Sequence, residues 1–267
     1  GVSSQLKPDY MSDFTLHHEE KFEFLLEGTG PPLIFLHGLM GNLSNFADQI
    51  QFFADNGYEV NMPKLPLYSL PLHQSTVKHL TLFLKEFVDY RGLDQVVLIG
   101  NSLGGHIALM YQTLFPKSTL GIVLAGSSGL YESAMGGSFP RRGDREYIAE
   151  KVREVFEVKS VATEELIDLV FETVGNRMKA LKTLSISKSA IRHNMTDELK
   201  SLKAEACIIW GRQDVVTPPD VAKKFHDLLP NSELHWIDKC GHAAMMEHPE
   251  TFNDILLTWL NKLHKQD

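Results

Sequence analysis

The chain has 267 residues, 43% of them hydrophobic and 22% charged, at about 150 residues per domain enough for one or two globular units with a sizeable core. Thirty-four acidic residues against 26 lysines and arginines give a net charge of −8, which excludes the basic stripe of a nucleic-acid or anionic-membrane binder. Two cysteines exclude a disulfide scaffold and a cysteine-based zinc site.

In chain order, short apolar runs alternate with amphipathic stretches, the pattern of parallel βα units. Phe14 to Leu26 reads as a hairpin or two early strands. Compact buried strands follow at Leu33 to Leu36, Val96 to Ile99, Gly121 to Leu124, Cys207 to Trp210 and Leu234 to Ile237. Helical spacing of apolar residues predicts helices at Phe46 to Phe53, Val77 to Tyr90, His106 to Phe115, Val221 to Leu229 and Phe252 to Leu263. The alternation breaks between Ser127 and Leu202. There a Gly/Ser-rich linker (Gly126 to Gly129) leads into charged amphipathic helices, with no convincing strand. The expected organisation is a core of residues 1–126 and 203–267 with a helical cap inserted at 127–202.

The chemistry is carried by Gly100-Asn101-Ser102-Leu103-Gly104, a G-x-S-x-G motif directly after one predicted strand and directly before a helix. That context is a nucleophile elbow, in which a tight turn holds the serine in strained geometry and glycines let strand and helix pass closely. A Gly-rich turn that merely connects is the bland alternative. A lone serine is a poor nucleophile and needs a base and an orienting acid. Asp214, after the strand ending at Trp210, and His242, after the strand ending at Ile237, follow in the order Ser…Asp…His. In a parallel sheet all three project from the carboxyl edge, where ligands bind. Asp220 and Asp238 are weaker rivals, the first expected inside a helix and the second too close to the strand of the base. The two oxyanion N–H groups are assigned to Leu39, in the loop His37-Gly38-Leu39-Met40-Gly41, and to Leu103. The histidines lack an H-E-x-x-H spacing, so neither a metal nor another cofactor is called for.

These pieces resemble the α/β-hydrolase superfamily over nearly the whole chain: HG at 37–38, the elbow at 100–104, GRQD-x-x-x-P at 211–218 and GH-x-x-x-x-E-x-P at 241–249. The resemblance implies an α/β-hydrolase fold, a mostly parallel sheet flanked by helices under an inserted helical cap. Within the superfamily the pattern is similar to capped esterases and to meta-cleavage-product (C–C bond) hydrolases, which commonly carry an Asn before the nucleophile, as Asn101 does here. Ser102 departs from the branches whose nucleophile is Asp. Met62 to Ser69 replaces the family's Asp and Gly-rich stretch, so an unusual pocket wall is expected there. No counterpart of the cap arginine of C–C hydrolases is identified.

Candidates for substrate contact are Gly38 and Asn101 beside the elbow, Met135 and Met246 as adaptable apolar lining, and Arg141, Arg142 and Arg192 as grips for a substrate carboxylate. A solvated helix entrance is the bland account of the arginines. The expectation is a Ser-His-Asp serine hydrolase of small carboxylic esters acting without a cofactor or metal; C–C cleavage of a vinylogous diketone acid is the nearest alternative. A weakly catalytic binding protein is the alternative of another class. The partner expected is a small-molecule substrate, with no nucleic acid and no membrane. No apolar run approaches a membrane span, the start GVSSQLKPDY has no signal-peptide core, and the expected location is the cytoplasm.

Overall fold

The computed structural model describes residues 13–132 and 141–265. Strands β1 (Leu16–Glu19) and β2 (Phe22–Glu27) form the predicted hairpin, with Leu16 opposite Leu25. They are followed by β3 (Pro32–Leu36), β4 (Glu59–Pro63), β5 (Val96–Ser102), β6 (Thr119–Ser127), β7 (Glu205–Gly211) and β8 (Ser232–Ile237). The eight strands make one sheet in the order β1-β2-β4-β3-β5-β6-β7-β8. Pairing is parallel from β4 through β8 and antiparallel only around β2.

Parallel strands covered on both faces read as continuous apolar runs, and here successive side chains feed two separate cores. Leu33, Phe35, Val97 and Ile99 enter one layer with helices α1 (Ala47–Asp55) and α9 (Pro249–His264). Ile34, Leu36, Val96 and Leu98 enter the opposite layer with α2 (Val77–Arg91), α3 (Leu103–Leu114) and α7 (Pro219–Leu228). The helix starts follow local chemistry. The Thr76 hydroxyl caps α2 by accepting from the His79 N–H at 3.1 Å, and Gly92 ends it at φ 65°.

Strand β4 escapes the apolar-run reading because it carries Glu59, Asn61 and Pro63. Asn61 is nonetheless fully buried. Its amide donates to the Leu33 carbonyl and to Glu59, and its oxygen accepts from Arg91 Nε at 3.2 Å. Side-chain partners thus satisfy a polar residue inside the sheet, as burial requires.

The stretch from Gly126 to Gly129 also differs from the expected linker. Its first half completes β6, because Ser127 pairs in register with Ser102 of β5. After it, α4 (Arg145–Glu154), α5 (Glu164–Gly175) and α6 (Arg177–Arg192) form a helical insertion between β6 and β7. Its entry and exit lie side by side, the Met195 N–H donating to the Gly129 carbonyl at 2.8 Å. Ile148, Val152, Ile167 and Val170 from α4 and α5 are buried in the same layer as α1 and α9, and Ile186 of α6 in the other. Among the described residues no helix is long and apolar enough to cross a membrane.

Candidate active site

Ser102 ends β5 and caps α3 at φ 55°, ψ −118°, a strained geometry that costs a non-glycine residue about 1–3 kcal/mol and persists only where the surroundings enforce it. The enforcement is steric. A Cβ on Gly104 would lie 2.0 Å from the Leu36 carbonyl, and one on Gly100 would lie 2.2 Å from Gly104. With hydrogen in both places α3 packs directly on the strands. Ser102 stays partly exposed while its neighbours are buried.

Asp214 and His242 emerge from the next strand ends, β7 and β8. Their loops are laced together: Arg212 N–H donates to the Ile237 carbonyl, Gln213 N–H to the Cys240 carbonyl, and Cys240 N–H to Gln213 Oε1, at 2.9–3.0 Å. Asp214 Oδ1 accepts the Val216 and Thr217 N–H groups, each at 2.9 Å. Asp214 Oδ2 accepts the Thr217 hydroxyl at 2.8 Å and faces His242 Nδ1 at 2.9 Å. Trp210, buried in β7, donates its indole N–H to the Thr217 carbonyl at 2.8 Å and steadies this turn from below. With the carboxylate as acceptor, Nδ1 carries the proton and Nε2 presents a lone pair.

The His242–Asp214 pair packs against the end of β6. A Cβ on Gly126 would meet His242 Nδ1 at 2.9 Å and Asp214 Oδ2 at 3.0 Å, and Gly126 adjoins Ser127, the register partner of Ser102. From the other side Asn101 donates its amide to the carbonyls of His242 and Ala125, at 3.1 and 2.8 Å. Burial disfavours the imidazolium of His242, yet the charge and hydrogen bond of Asp214, with the charge of Glu247, outweigh it and raise its pKa.

The HG loop passes directly over the serine: a Cβ on Gly38 would lie 3.2 Å from Ser102 Cβ. The turn is closed by the Gly41 N–H on the Gly38 carbonyl at 3.0 Å, with Met40 at φ 60°. His37 underpins it, Nδ1 donating to the Gly38 carbonyl and Nε2 accepting the Leu65 N–H at 3.0 Å. Beside this loop lies a cavity of about 520 Å³, lined by Leu43, Leu65, Leu67, Phe83 and Leu169, with Lys64 and Lys179 among its polar residues. Lys64 to Ser69, within the Met62 to Ser69 stretch where an unusual pocket wall is expected, forms one wall.

The other candidates are placed less centrally. Arg141 is exposed and paired with Asp144 at 2.8 Å, and Arg142 and Arg192 are exposed. Met246 is half-buried, its sulfur accepting from Asn45. Met135 lies outside the described residues. Of the rival acids, Asp220 is on α7 and highly exposed, and Asp238 is ion-paired with Arg212 at 2.5 Å. Among the described residues no group of three or more His, Cys, Asp or Glu could hold a metal. Sequence reasoning missed two contributors. Thr217 is hidden as an unspecified position of GRQD-x-x-x-P, and Glu247 stands in GH-x-x-x-x-E-x-P with no role assigned to it.

The sequence profile of the alpha/beta hydrolase family matches residues 33–255. The chain belongs to that family. A solved relative, MGS-MChE2, an alpha/beta hydrolase enzyme from the metagenome of lagoon sediments at Mar Chica, Morocco, is 47% identical, with a TM-score of 0.78 over 93% of this chain and 98% of that one. The 2-hydroxy-6-oxononadienedioate/2-hydroxy-6-oxononatrienedioate hydrolase of Paraburkholderia phymatum is 30% identical over 89% of this chain and 86% of its own. The 2-hydroxy-6-oxo-6-phenylhexa-2,4-dienoate hydrolase of Burkholderia cepacia is 27% identical over 94% and 92%. The protein is an enzyme of the hydrolase class.

Proposed function

We propose that the protein is a serine hydrolase of small carboxylic esters, with Ser102 as nucleophile, His242 as general base and Asp214 as the acid that orients it. The helices α4 to α6 are the cap over this site. The observation that carries the reading is Ser102 at φ 55° on a strand–helix turn, with a His242–Asp214 pair at 2.9 Å whose loop is bonded at 3.1 Å to Asn101, the residue before the serine.

His242 Nε2 takes the Ser102 proton as Oγ attacks the ester carbonyl. Asp214 holds the Nδ1–H tautomer and stabilises the imidazolium that forms. The Leu39 and Leu103 N–H groups receive the developing oxyanion, each worth about 3–4 kcal/mol of transition-state stabilisation in such sites. His242 then protonates the departing alkoxide. In the second half it deprotonates water, which attacks the acyl-serine, and Ser102 leaves with the proton returned.

A second reading has its own support. Two relatives spanning most of the chain are dienoate hydrolases, and the same triad serves cleavage of a vinylogous diketone acid. That substrate carries a carboxylate needing a cationic partner; Arg141 is already paired with Asp144 and Arg142 and Arg192 are exposed, whereas Lys64 and Lys179 line the cavity and could serve. The deciding experiment is hydrolysis of p-nitrophenyl esters from acetate to decanoate, alongside a 2-hydroxy-6-oxo-dienoate, by wild type and Ser102→Ala. Ester turnover that vanishes in Ser102→Ala is expected, and its best chain length sizes the pocket. Turnover of the dienoate alone replaces the ester reading with the C–C one. Equal activity in the variant removes Ser102 as nucleophile.

A further inference from the structure

Glu247 ends the short helix α8 (Ala244–Glu247) and is 6% exposed. Among the described residues no lysine, arginine or histidine forms an ion pair with it. Its carboxylate is instead met by four backbone N–H groups from two places. Gly241 and Ala243, on either side of His242, donate at 2.9 and 3.0 Å. Glu157 and Val158, in the turn after α4, donate at 2.8 and 3.0 Å. The N–H between the first two, that of His242 itself, donates to the Val155 carbonyl at 3.0 Å. Three consecutive amides around the base are therefore held by Glu247 and by the foot of the helical insertion.

The packing leaves no slack between these segments. A Cβ on Gly241 would meet the Val155 carbonyl at 2.7 Å and the Glu157 nitrogen at 2.8 Å. A buried carboxylate without a cation is a poor source of stability, because desolvation offsets what its hydrogen bonds contribute. Its value lies in geometry: one side chain fixes two backbone segments about 90 residues apart in sequence and sets where the imidazole stands. Displacement of a catalytic group by about 1 Å can cost about 100-fold in rate.

We propose that Glu247 is the positioning residue of His242, and that through it the 155–158 turn of the insertion forms part of the mounting of the general base. The inference rests on the catalytic role proposed for His242. A substrate that pulls α4 toward itself would pull on the base, whereas movement confined to α6 would not.

The test combines Glu247→Gln, Val158→Pro and His242→Ala with wild type, each checked for folding by circular dichroism and thermal melting. In Glu247→Gln the amide nitrogen points a donor at a donor. Its kcat is expected to fall about 10- to 100-fold, with KM changed less than about 3-fold. Asp214 and Glu247 are the acidic groups acting on His242, so losing one charge lowers the His242 pKa and moves the acid limb of kcat/KM to lower pH. The same shift is read without substrate by NMR titration of the His242 ring, assigned by its absence from His242→Ala. Val158→Pro leaves Glu247 in place and removes one donor from the insertion side, at a φ of −82° close to that of proline. It is expected to lose about 3- to 10-fold in kcat at constant KM, and it decides the matter if Glu247→Gln does not fold.

Folded Glu247→Gln with the wild-type kcat and His242 titration overturns the inference, as does Val158→Pro at wild-type kcat. Wild-type turnover in His242→Ala overturns the triad reading instead. If wild type hydrolyses nothing, amide hydrogen exchange at residues 241–243 decides: unchanged protection in Val158→Pro ends the proposal and faster exchange supports it.

Discussion

At the scale of single residues, the site depends on which hydrogen-bonding groups are donors and which are acceptors. Asp214 is surrounded by donors, with two N–H groups and the Thr217 hydroxyl on its oxygens and His242 Nδ1 beside them. Asp214→Asn inserts a donor into that arrangement and lets His242 turn the wrong tautomer toward Ser102. A loss of about 10⁴-fold in kcat with little change in melting temperature is the expected outcome of ester kinetics and calorimetry. An activity within tenfold of wild type would mean that another carboxylate orients the base. Asn101 shows the opposite case. By sequence it is a candidate for substrate contact, yet its amide is engaged by the carbonyls of Ala125 and His242. Its visible work is to fasten the base loop to β5 and β6.

Among elements, the decisive contact is α3 on the strands beneath it. The glycines at 100 and 104 were legible as parts of a motif, and their spacing alone identified a strand–turn–helix unit. Which backbone Gly104 touches was not legible, because Leu36 belongs to a strand that is distant in sequence. Gly104→Ala would place its methyl 2.0 Å from the Leu36 carbonyl. Backbone atoms cannot step aside as a flexible side chain can, so α3 must tilt. Destabilisation of about 1–3 kcal/mol is expected from urea unfolding, together with reduced turnover because Ser102 moves with the helix. Strand β4 illustrates a limit of the same kind. Its period is obscured by Asn61, a residue that becomes tolerable inside the sheet only once Glu59, Arg91 and the Leu33 carbonyl surround it.

Across the whole molecule, buried histidines make stability depend on pH. His37 is held in one neutral form by accepting the Leu65 N–H, and burial pushes its pKa down to about 4. His106, buried in α3 and facing the His193 carbonyl, is likewise lowered to about 4 by burial. The unfolded chain binds protons near the ordinary histidine value of about 6.5, so between pH 6.5 and 4 it holds more protons than the native state. Stability from these groups is therefore complete above about pH 6.5 and is lost as pH falls toward 4. Glu132, Asp48 and His242 oppose this, since their pKa values are raised and native protonation there favours folding in acid. Urea unfolding at pH 7 and pH 5 should show lower stability at pH 5, and His37→Leu should be less stable at pH 7 but flatter across the interval. An unchanged slope in that variant would remove His37 from the account.

What the sequence determined by itself was local or periodic. Apolar runs gave the buried strands, the G-x-S-x-G turn gave Ser102, and the strand-end positions of Asp214 and His242 gave the rest of the cluster, because parallel topology brings strand ends to one edge whatever the intervening chain. What only the tertiary structure decided were contacts between segments far apart. It set the completion of β6 by Ser127, the polar interior of β4, the hold of Thr217 and Trp210 on the acid loop, and the seating of the 155–158 turn on the loop of His242. Composition and spacing report which face a residue turns inward; the partner waiting there depends on how the whole chain closes. Glu247 stands in the sequence as a motif position without a stated role, and becomes a joint between insertion and base loop only when the fold brings four amides to it.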